Sequence, residues 1–472
     1  MERTATAYDD VQYPSALYRT THPEHLAAMA RLHGLDAADP RRARVLEIAG
    51  GDGLNVLAMA AAFPEARFVN IDLAPTAIAR GQALAQASGL ANARIEVADV
   101  VCAAESFAGE FDYVIAHGLY AWVPPAVQQA TLRLIDRVLA PEGVAYLSYN
   151  ALPGGYLRMA VRDMLLAELG GIADAEERIR HALVILDDYG RPREDDSLAQ
   201  AALRKTARLI ADKDVHTLFH DELGTVYDPK SLQQVVAEAG AHNLAYLGES
   251  QPGGLFHGLP GEPLDDRALV RRAQLADHRD LCFFHQSLFV RPGRQPLRVP
   301  DWRIVGSLLA GVPSGIKRVG RSAFTMGESE FEVGDDELAD FLEQLVVHAP
   351  ARLPLARFAG SAAHGEAILR LVDRGIVELH SLPFPGVLEP GERPLANPLL
   401  RAMIAAGETR LFTLDHRAIA ISEEGPRWFL SLLDGSRDRA ELAREWQACG
   451  LAAPIDVDAA LRQLARAGLL SA

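Results

Sequence analysis

Between residues 44 and 150, short apolar runs alternate with amphipathic stretches. The runs cover 44–48, 67–71, 94–97, 111–116 and 144–149, and Val, Ile and Phe recur in them. Between them, 54–62, 74–88 and 125–139 read as helices. Strand and helix in alternation predict βαβ units, hence a parallel sheet covered on both faces. The pattern then continues. Residues 229–240 predict a helix with Asp228 as its N-cap and Gly240 near its end. A short strand follows at 243–247, and an apolar, aromatic one at 281–290 is closed by Pro292 and Gly293. These make a sixth and a seventh strand of one α/β sheet. Residues 156–227 are helical in pattern and predict an insertion after the fifth strand, near the C-terminal edge of the sheet.

Beyond about residue 295 the character changes. A Gly- and Ser-containing stretch at 312–335 leads into a helix–helix–strand pattern at 335–380, and 364–380 read as a helix followed by a β-wing. A second such unit is expected at 410–472. The predicted division is therefore 1–295 and 296–472. The first part holds the insertion at about 156–227 and a middle region at about 205–295. The second is a winged-helix-like α+β region of up to two units. A chain of 472 residues has room for two to four domains.

Charge narrows the chemistry. The chain carries 63 Asp and Glu against 47 Lys and Arg, a net charge of −16. Residues 296–472 hold 24 acidic and 19 basic side chains. A groove-reading helix needs a cationic surface, so no nucleic-acid partner is expected. Small winged-helix units also bind polypeptide strands at the wing edge, which fits a role in choosing a protein substrate or in pairing two subunits as a homodimer. The stretch 433–442 also looks like the peptide-chaperone winged helices of peptide-maturation systems. Cys102, Cys282 and Cys449 lie far apart, so neither a disulfide framework nor a cysteine-pair metal site is expected. His216 and His220 can share a helix face but lack a third ligand nearby, and no metal is expected. There is no P-loop, HExxH helix or GxSxG elbow. No apolar run is long enough to span a membrane, and the N-terminus lacks the marks of a secretory signal. A cytoplasmic location follows as the expectation.

The candidate chemistry sits at successive strand ends. The first strand runs into Glu47-Ile48-Ala49-Gly50-Gly51-Asp52-Gly53, then a helix. A Gly-rich turn there lets the backbone approach a ligand. A dinucleotide fold would want a further Gly at Val56. The second strand ends at Asp72-Leu73, and a carboxylate there can accept both hydroxyls of a ribose. The plainer reading of Asp72 is a cap for the helix after Pro75. The third strand ends at Asp99-Val100, where the carboxylate can accept an adenine amine while Val100 packs near the ring. The plainer reading of Asp99 is a solvated loop residue. Three such residues on one sheet edge are more specific than any one of them.

This pattern resembles a class I S-adenosylmethionine-dependent methyltransferase, over residues 44–150 and on to the last two strands. The resemblance implies a seven-stranded Rossmann-like sheet with an antiparallel seventh strand. It implies S-adenosyl-L-methionine as cofactor, leaving S-adenosyl-L-homocysteine. By this carry-over Glu47 serves the methionine amino group, and Gly51 and Gly53 line the methionine and ribose. Asp72 with Leu73 grips the ribose, and Asp99 with Val100 holds the adenine. Ala49 stands where the family has its first Gly.

Three further segments narrow the resemblance: Tyr8-Asp9-Asp10-Val11-Gln12-Tyr13-Pro14 with Thr21-His22-Pro23, then 117–124, then 148–155. Together they look like the methyltransferases with a methyltransferase regulatory domain, a group that includes bacterial protein-lysine methyltransferases acting on outer-membrane proteins. Residues 218–223 and 246–249 fit that family's middle region. At 280–290 the family pattern expects basic residues, and His285 and Gln286 stand instead.

An amine acceptor must lose a proton before attack, and a desolvated pocket lowers its pKa. Tyr13, His117, Tyr120, Trp122, Tyr149 and Asn150 are the candidates to line that pocket. Tyr149 and Asn150 are expected to hold an amine in line, Trp122 to offer an aromatic wall for a cation, and His117 to take a proton or bond the cofactor carboxylate. Tyr13 is a further cofactor candidate. The reading is N-methylation of protein lysines. The alternatives are a small-molecule methyltransferase with residues 156–227 as a lid, or a non-catalytic cofactor-binding module.

Overall fold

The computed structural model describes residues 11–251, 253, 265–450 and 456–471; Tyr8, Asp9 and Asp10 of the N-terminal motif lie outside them. Seven strands form one sheet in the order β3-β2-β1-β4-β5-β7-β6. They are β1 (Arg44–Ile48), β2 (Arg67–Asp72), β3 (Ala93–Val97), β4 (Phe111–Ala116), β5 (Leu139–Asn150), β6 (Ala245–Glu249) and β7 (Phe284–Val290). β1 to β5 pair in parallel, and β7 runs antiparallel to both β5 and β6. Along β1, Val45 joins one apolar core while Leu46 and Ile48 join the other, as a sheet covered on both faces requires. The strand order reverses between β1 and β4, so the loops leaving those strands diverge and open a crevice at their carboxyl ends.

Two predicted boundaries shift for local reasons. β5 begins at Leu139 because that residue pairs with Phe111 across a β-bulge, although Pro141-Glu142-Gly143 interrupts the apolar run. The helix expected at 229–240 is Leu232–Ala241, and its N-cap is Ser231 rather than Asp228. Ser231 and Gln234 form a capping box, which satisfies two backbone donors at once. Lys230 bridges to Ala151 and is still extended. Asp228 instead accepts from Gln128 Nε2 at 3.1 Å and pairs with Lys230 at 2.9 Å.

The insertion is four helices, Gly155–Leu169, Ala175–Tyr189, Leu198–Ala211 and Val215–Leu223. They bury a core of their own that includes Leu165, Leu186, Ala207 and Leu218. The C-terminal region starts with two small three-stranded sheets and the helices Asp336–His348 and Ala362–Asp373. It continues with helix Pro398–Ala405, the hairpin Arg410–Phe412/Ala418–Ala420, and helices Glu424–Leu432, Arg439–Cys449 and Val457–Arg466. Leu470–Ser471 returns to pair with Leu395–Ala396. Helix Pro398–Ala405 lies against Leu54–Ala62 and Pro75–Ser88, the helices that follow β1 and β2. Leu399, Leu400 and Met403 thereby share a core with Met59 and Ile78. Among the described residues, no helix is long and apolar enough to cross a membrane.

Candidate active site

The loop after β1 turns tightly enough to need three left-handed residues in five: Ala49 (φ 58°), Gly51 (φ 60°) and Gly53 (φ 72°). Ala49 N–H donates to Ile71 O at 2.7 Å, and Gly53 N–H to Gly50 O at 2.9 Å. Gly50 is required by space. A Cβ there would stand 2.2 Å from Asn70 Oδ1 and 2.6 Å from Glu47 Oε2. Gly81, on the helix after β2, is required as well, because its Cβ would meet Asp52 O at 1.9 Å. Sequence reading singled out Gly51 and Gly53. Gly50 was visible in the same run, but nothing local marks Gly81 or Asn70.

Under this loop lies a buried polar cluster. Glu47 is 2% exposed, and its Oε1 accepts from Asn55 Nδ2 at 2.7 Å. Burial, with Asp52 and Asp72 nearby, pushes its carboxyl up to about 8. Glu47 Oε2 and Asn70 Oδ1 are buried oxygens with no hydrogen-bond partner. Such groups are costly unless a donor arrives. Asn55 is fully used: it also donates to Thr21 Oγ1 at 3.1 Å and accepts from Tyr18 N–H at 3.1 Å and His416 Nε2 at 2.7 Å. His416 comes from the turn between the strands of the C-terminal hairpin, a contact invisible to sequence reading.

Asp72 sits at the end of β2. Its Oδ2 accepts from Gly51 N–H and its Oδ1 from Ala74 N–H, each at 2.8 Å. Burial raises its pKa against those bonds. The N-cap of the following helix is Ala74, so Asp72 ties the loop to the strand end instead of capping. Asp99 is exposed and does cap a helix, accepting from Val101 N–H at 2.7 Å. Val100 is buried beside it, and Leu73 is exposed at the neighbouring strand end. Glu47, Asp72 and Asp99 therefore stand at the ends of three adjacent strands.

Residues 11–22 run across the β1 and β4 loops. Ser15 Oγ donates to Asp52 Oδ2, and the Tyr18 ring lies 3.6 Å from the His117 ring, centroid to centroid. His117 Nδ1 meets Tyr146 Oη at 2.9 Å and Ser148 Oγ at 3.2 Å, and Phe284 lies edge-on at 6.0 Å. Burial pulls its ring pKa down to about 4, so it is neutral near pH 7 and a weak base. Of its two expected parts, a ring so lowered favours a bond to the cofactor over taking a proton. Asn150 is buried at the end of β5, in alternation with Ser148 and Tyr146. Its carbonyl accepts from Lys230 N–H at 3.0 Å.

Four of the expected pocket residues, Tyr149, Tyr120, Trp122 and Tyr13, have other partners in the fold. Tyr149 is 1% exposed and, by strand alternation, points to the opposite sheet face, where its hydroxyl meets Ser287 Oγ at 3.1 Å. It is core, not a wall of the crevice, and Tyr120 packs against it there with its own hydroxyl on Glu238. Trp122 already has a cation: Arg158 sits 4.8 Å and Arg162 5.6 Å from its ring, beside Tyr227 at 4.9 Å. Arg158 in turn pairs with Glu222 and Asp221 of the insertion. Tyr13 lies over the insertion, with its hydroxyl 3.5 Å from Asp221 Oδ1 and its ring 5.5 Å from that of His220. His220 Nε2 meets Val11 O at 2.7 Å.

A methyltransferase-domain family model matches residues 45–143. The family model of the PKMT C-terminal winged helix domain matches residues 392–469. The chain is 33% identical over 243 residues to the uncharacterized protein RP789 of Rickettsia prowazekii (strain Madrid E), covering 51% of this chain and 44% of that protein. It thus spans under half the length of that relative. It is 28% identical over 234 residues to RP028 of the same organism, covering 49% of this chain and 93% of that one. The structure of PKMT2 from Rickettsia typhi matches with a TM-score of 0.80 at 20% identity, over 97% of this chain and 99% of that one. The same protein in complex with AdoHcy gives 0.79. The fold is thereby shared from end to end. Residues 45–143 thus match a methyltransferase domain and residues 392–469 a PKMT-type winged helix domain, on a fold shared with PKMT2.

Proposed function

We propose that this chain N-methylates lysine side chains of a protein. The observation that carries this reading is the PKMT-type winged helix at 392–469, docked through helix Pro398–Ala405 on the helices behind the glycine loop. The division of the chain near residue 295 belongs to the same proposal, with the catalytic half before it and the substrate-choosing half after it.

S-adenosylmethionine supplies the methyl group from its sulfonium. The residues present fit it. Glu47 Oε2 and Asn70 Oδ1 are two buried oxygens without a partner, and once the Glu47 proton leaves both can accept from the cofactor's amino group. Gly50, Gly51 and Gly53 keep the loop low enough to admit it. Asp72 would take the ribose hydroxyls, and Asp99 with Val100 would take the adenine. The acceptor amine must be neutral. The rings of Tyr18, His117 and Phe284, at the β4 and β7 side of the crevice, form a low-dielectric surface that disfavours an ammonium ion. Burial holds the Tyr18 phenol up at about 12, so it stays protonated and able to donate. Asn150, on the same strand face as Ser148, is the candidate to orient the amine. Positioning dominates the rate of an in-line transfer of this kind.

Incubation of the purified chain with methyl-labelled S-adenosylmethionine and a cell extract, then separated into macromolecules and filtrate, tests the reading. Label retained on protein and recovered as methyllysine after acid hydrolysis is the expected result. Label in the filtrate supports the small-molecule alternative, with the four-helix insertion as lid. Cofactor binding without label in either fraction supports the binding-module alternative.

A further inference from the structure

We propose that Asp277, Cys282 and His285 form a binding site for a divalent transition-metal ion of zinc type. Helix Asp266–Asp280 ends beside the start of β7, and Leu281 takes a left-handed backbone (φ 52°) that folds the chain back over the last turn. A leucine in that region is uncommon and costs energy. The fold-back is held by Cys282 N–H donating to Asp277 O at 3.0 Å. It brings three donor atoms of different kinds together within 4.8 Å of one another. His285 Nε2 lies 3.0 Å from Asp277 Oδ2 and 3.9 Å from Cys282 Sγ. A tetrahedral zinc with bonds of about 2.0–2.3 Å sets its ligand atoms roughly 3.3–3.6 Å apart. The two pairs that include His285 therefore stand within a few tenths of an ångström of the required spacing, and Asp277 and Cys282 lie within 4.8 Å of each other.

The surroundings are those of a metal site. The other ring nitrogen of His285, Nδ1, faces Glu249 Oε2 at 3.2 Å. A carboxylate on the far nitrogen fixes which nitrogen is free to ligate and raises its basicity. Glu249 is itself held by Ser287 Oγ at 2.7 Å and Gln286 N–H at 2.8 Å. Gln274 Nε2 donates to Asp277 Oδ2 at 3.2 Å. His285 and Asp277 are buried, and Cys282 is partly open, which leaves an entry side. Binding displaces the thiol proton of Cys282 and the proton that His285 Nε2 shares with Asp277. Three protein ligands then leave a fourth position for water.

The site also has something to hold. Phe283 O and Cys282 O accept from Ala151 N–H at 2.8 Å and Gly154 N–H at 2.9 Å. Phe284, next in the chain, is the residue edge-on to His117. An ion at Asp277, Cys282 and His285 would fasten the end of helix Asp266–Asp280 to this wall of the crevice. A single cysteine, with an aspartate five residues before and a histidine three after, matches no paired-ligand spacing, so the site is not legible in the sequence.

The test uses the full chain, produced without a histidine tag, stripped with chelator and titrated with cobalt(II) and then zinc(II). Expected is one equivalent bound, with a thiolate-to-cobalt absorption band that zinc abolishes. Cys282→Ala and Asp277→Asn, each checked for folding by circular dichroism, should lose the band, and Cys102→Ala and Cys449→Ala should keep it. Glu249→Gln should weaken affinity about 10-fold or more. Binding below one tenth of an equivalent overturns the proposal, as does a band that survives in Cys282→Ala or Asp277→Asn. The cluster is then a hydrogen-bonded Glu–His–Asp chain alone.

Discussion

Ala49 holds a left-handed backbone that only glycine adopts without strain. Ala49→Gly should therefore stabilise the fold by up to about 1 kcal/mol after the entropy of the more flexible unfolded chain is subtracted; denaturant unfolding of the two proteins compares them. Glu47 sets a pH dependence. Its carboxyl stands at about 8 in the fold against 4.5 unperturbed, so the native state keeps a proton that the unfolded chain releases. The unfolded state then binds fewer protons across this window, and the residue's contribution falls as pH rises from about 4.5 to about 8. Glu47→Gln should flatten that decline in stability. Binding of a cationic amino group beside Glu47 favours the carboxylate, so S-adenosylmethionine binding near pH 7 should release a proton. Calorimetry in buffers of different ionisation enthalpy reads that release, and Glu47→Gln should abolish it. Asp72 and Asp99 were legible because each stands directly after an apolar run. Asn70 was not, since a lone polar residue inside a strand gives no sign of which way it faces.

At the scale of elements, the helix starts around the crevice do two jobs. Asp99 caps helix Val100–Ser106, and asparagine caps as well as aspartate does. Asp99→Asn should thus keep stability, whereas Asp99→Ala should lose about 1 kcal/mol. If the carboxylate also holds the adenine amine, cofactor affinity falls in both variants; unchanged affinity in Asp99→Asn leaves capping as its only role. Gly81 lets helix Pro75–Ser88 lie on the backbone of Asp52. Gly81→Ala is a good substitution by helix propensity, yet here it must push the glycine loop outward. Its effect should appear as lost cofactor affinity larger than its change in melting temperature. The strands and helices were readable from periodicity because their hydrogen bonds and apolar stripes are local. The start of β5 and the cap at Ser231 were misplaced where pairing with Phe111 and a capping box prevailed over a simple apolar count.

Across the whole molecule, the C-terminal region reaches the cofactor crevice through a side chain. His416, held in a left-handed turn and buried, bonds Asn55, which bonds Glu47. His416→Ala should weaken S-adenosylmethionine binding about tenfold, equivalent to ~1.4 kcal/mol and the scale of one buried hydrogen bond. His416→Gln, which keeps a donor, should restore part of it. The same interface buries charge. Glu24 accepts from Ser381 N–H at 2.6 Å and lies 3.2 Å from His380 Nδ1 and 3.5 Å from Arg352. His380 and Arg352 hold its carboxyl well below the usual range against the cost of burial. That contribution is present above pH 4.5 and lost as acid titrates the group below it. Arg352→Ala leaves Glu24 and Asp415 without this cation, so a loss of about 3–5 kcal/mol is expected in thermal or denaturant unfolding near pH 7.

The alternation of strands and helices, the glycine loop, and the acids at three strand ends are legible in the amino-acid order alone. All of these rest on interactions between residues a few positions apart. Which face of β5 meets the crevice depends on the packed fold, which sets Tyr149 in the core with Ser148 and Asn150 opposite. The packed fold also sets Arg158 on Trp122 and brings His416 to Asn55, 361 positions away. Strand parity is local, but which face is buried depends on what the rest of the chain lays against it. The same holds for charge: Glu47 reads as an ordinary carboxylate in the sequence, and only burial under the loop makes it hold its proton.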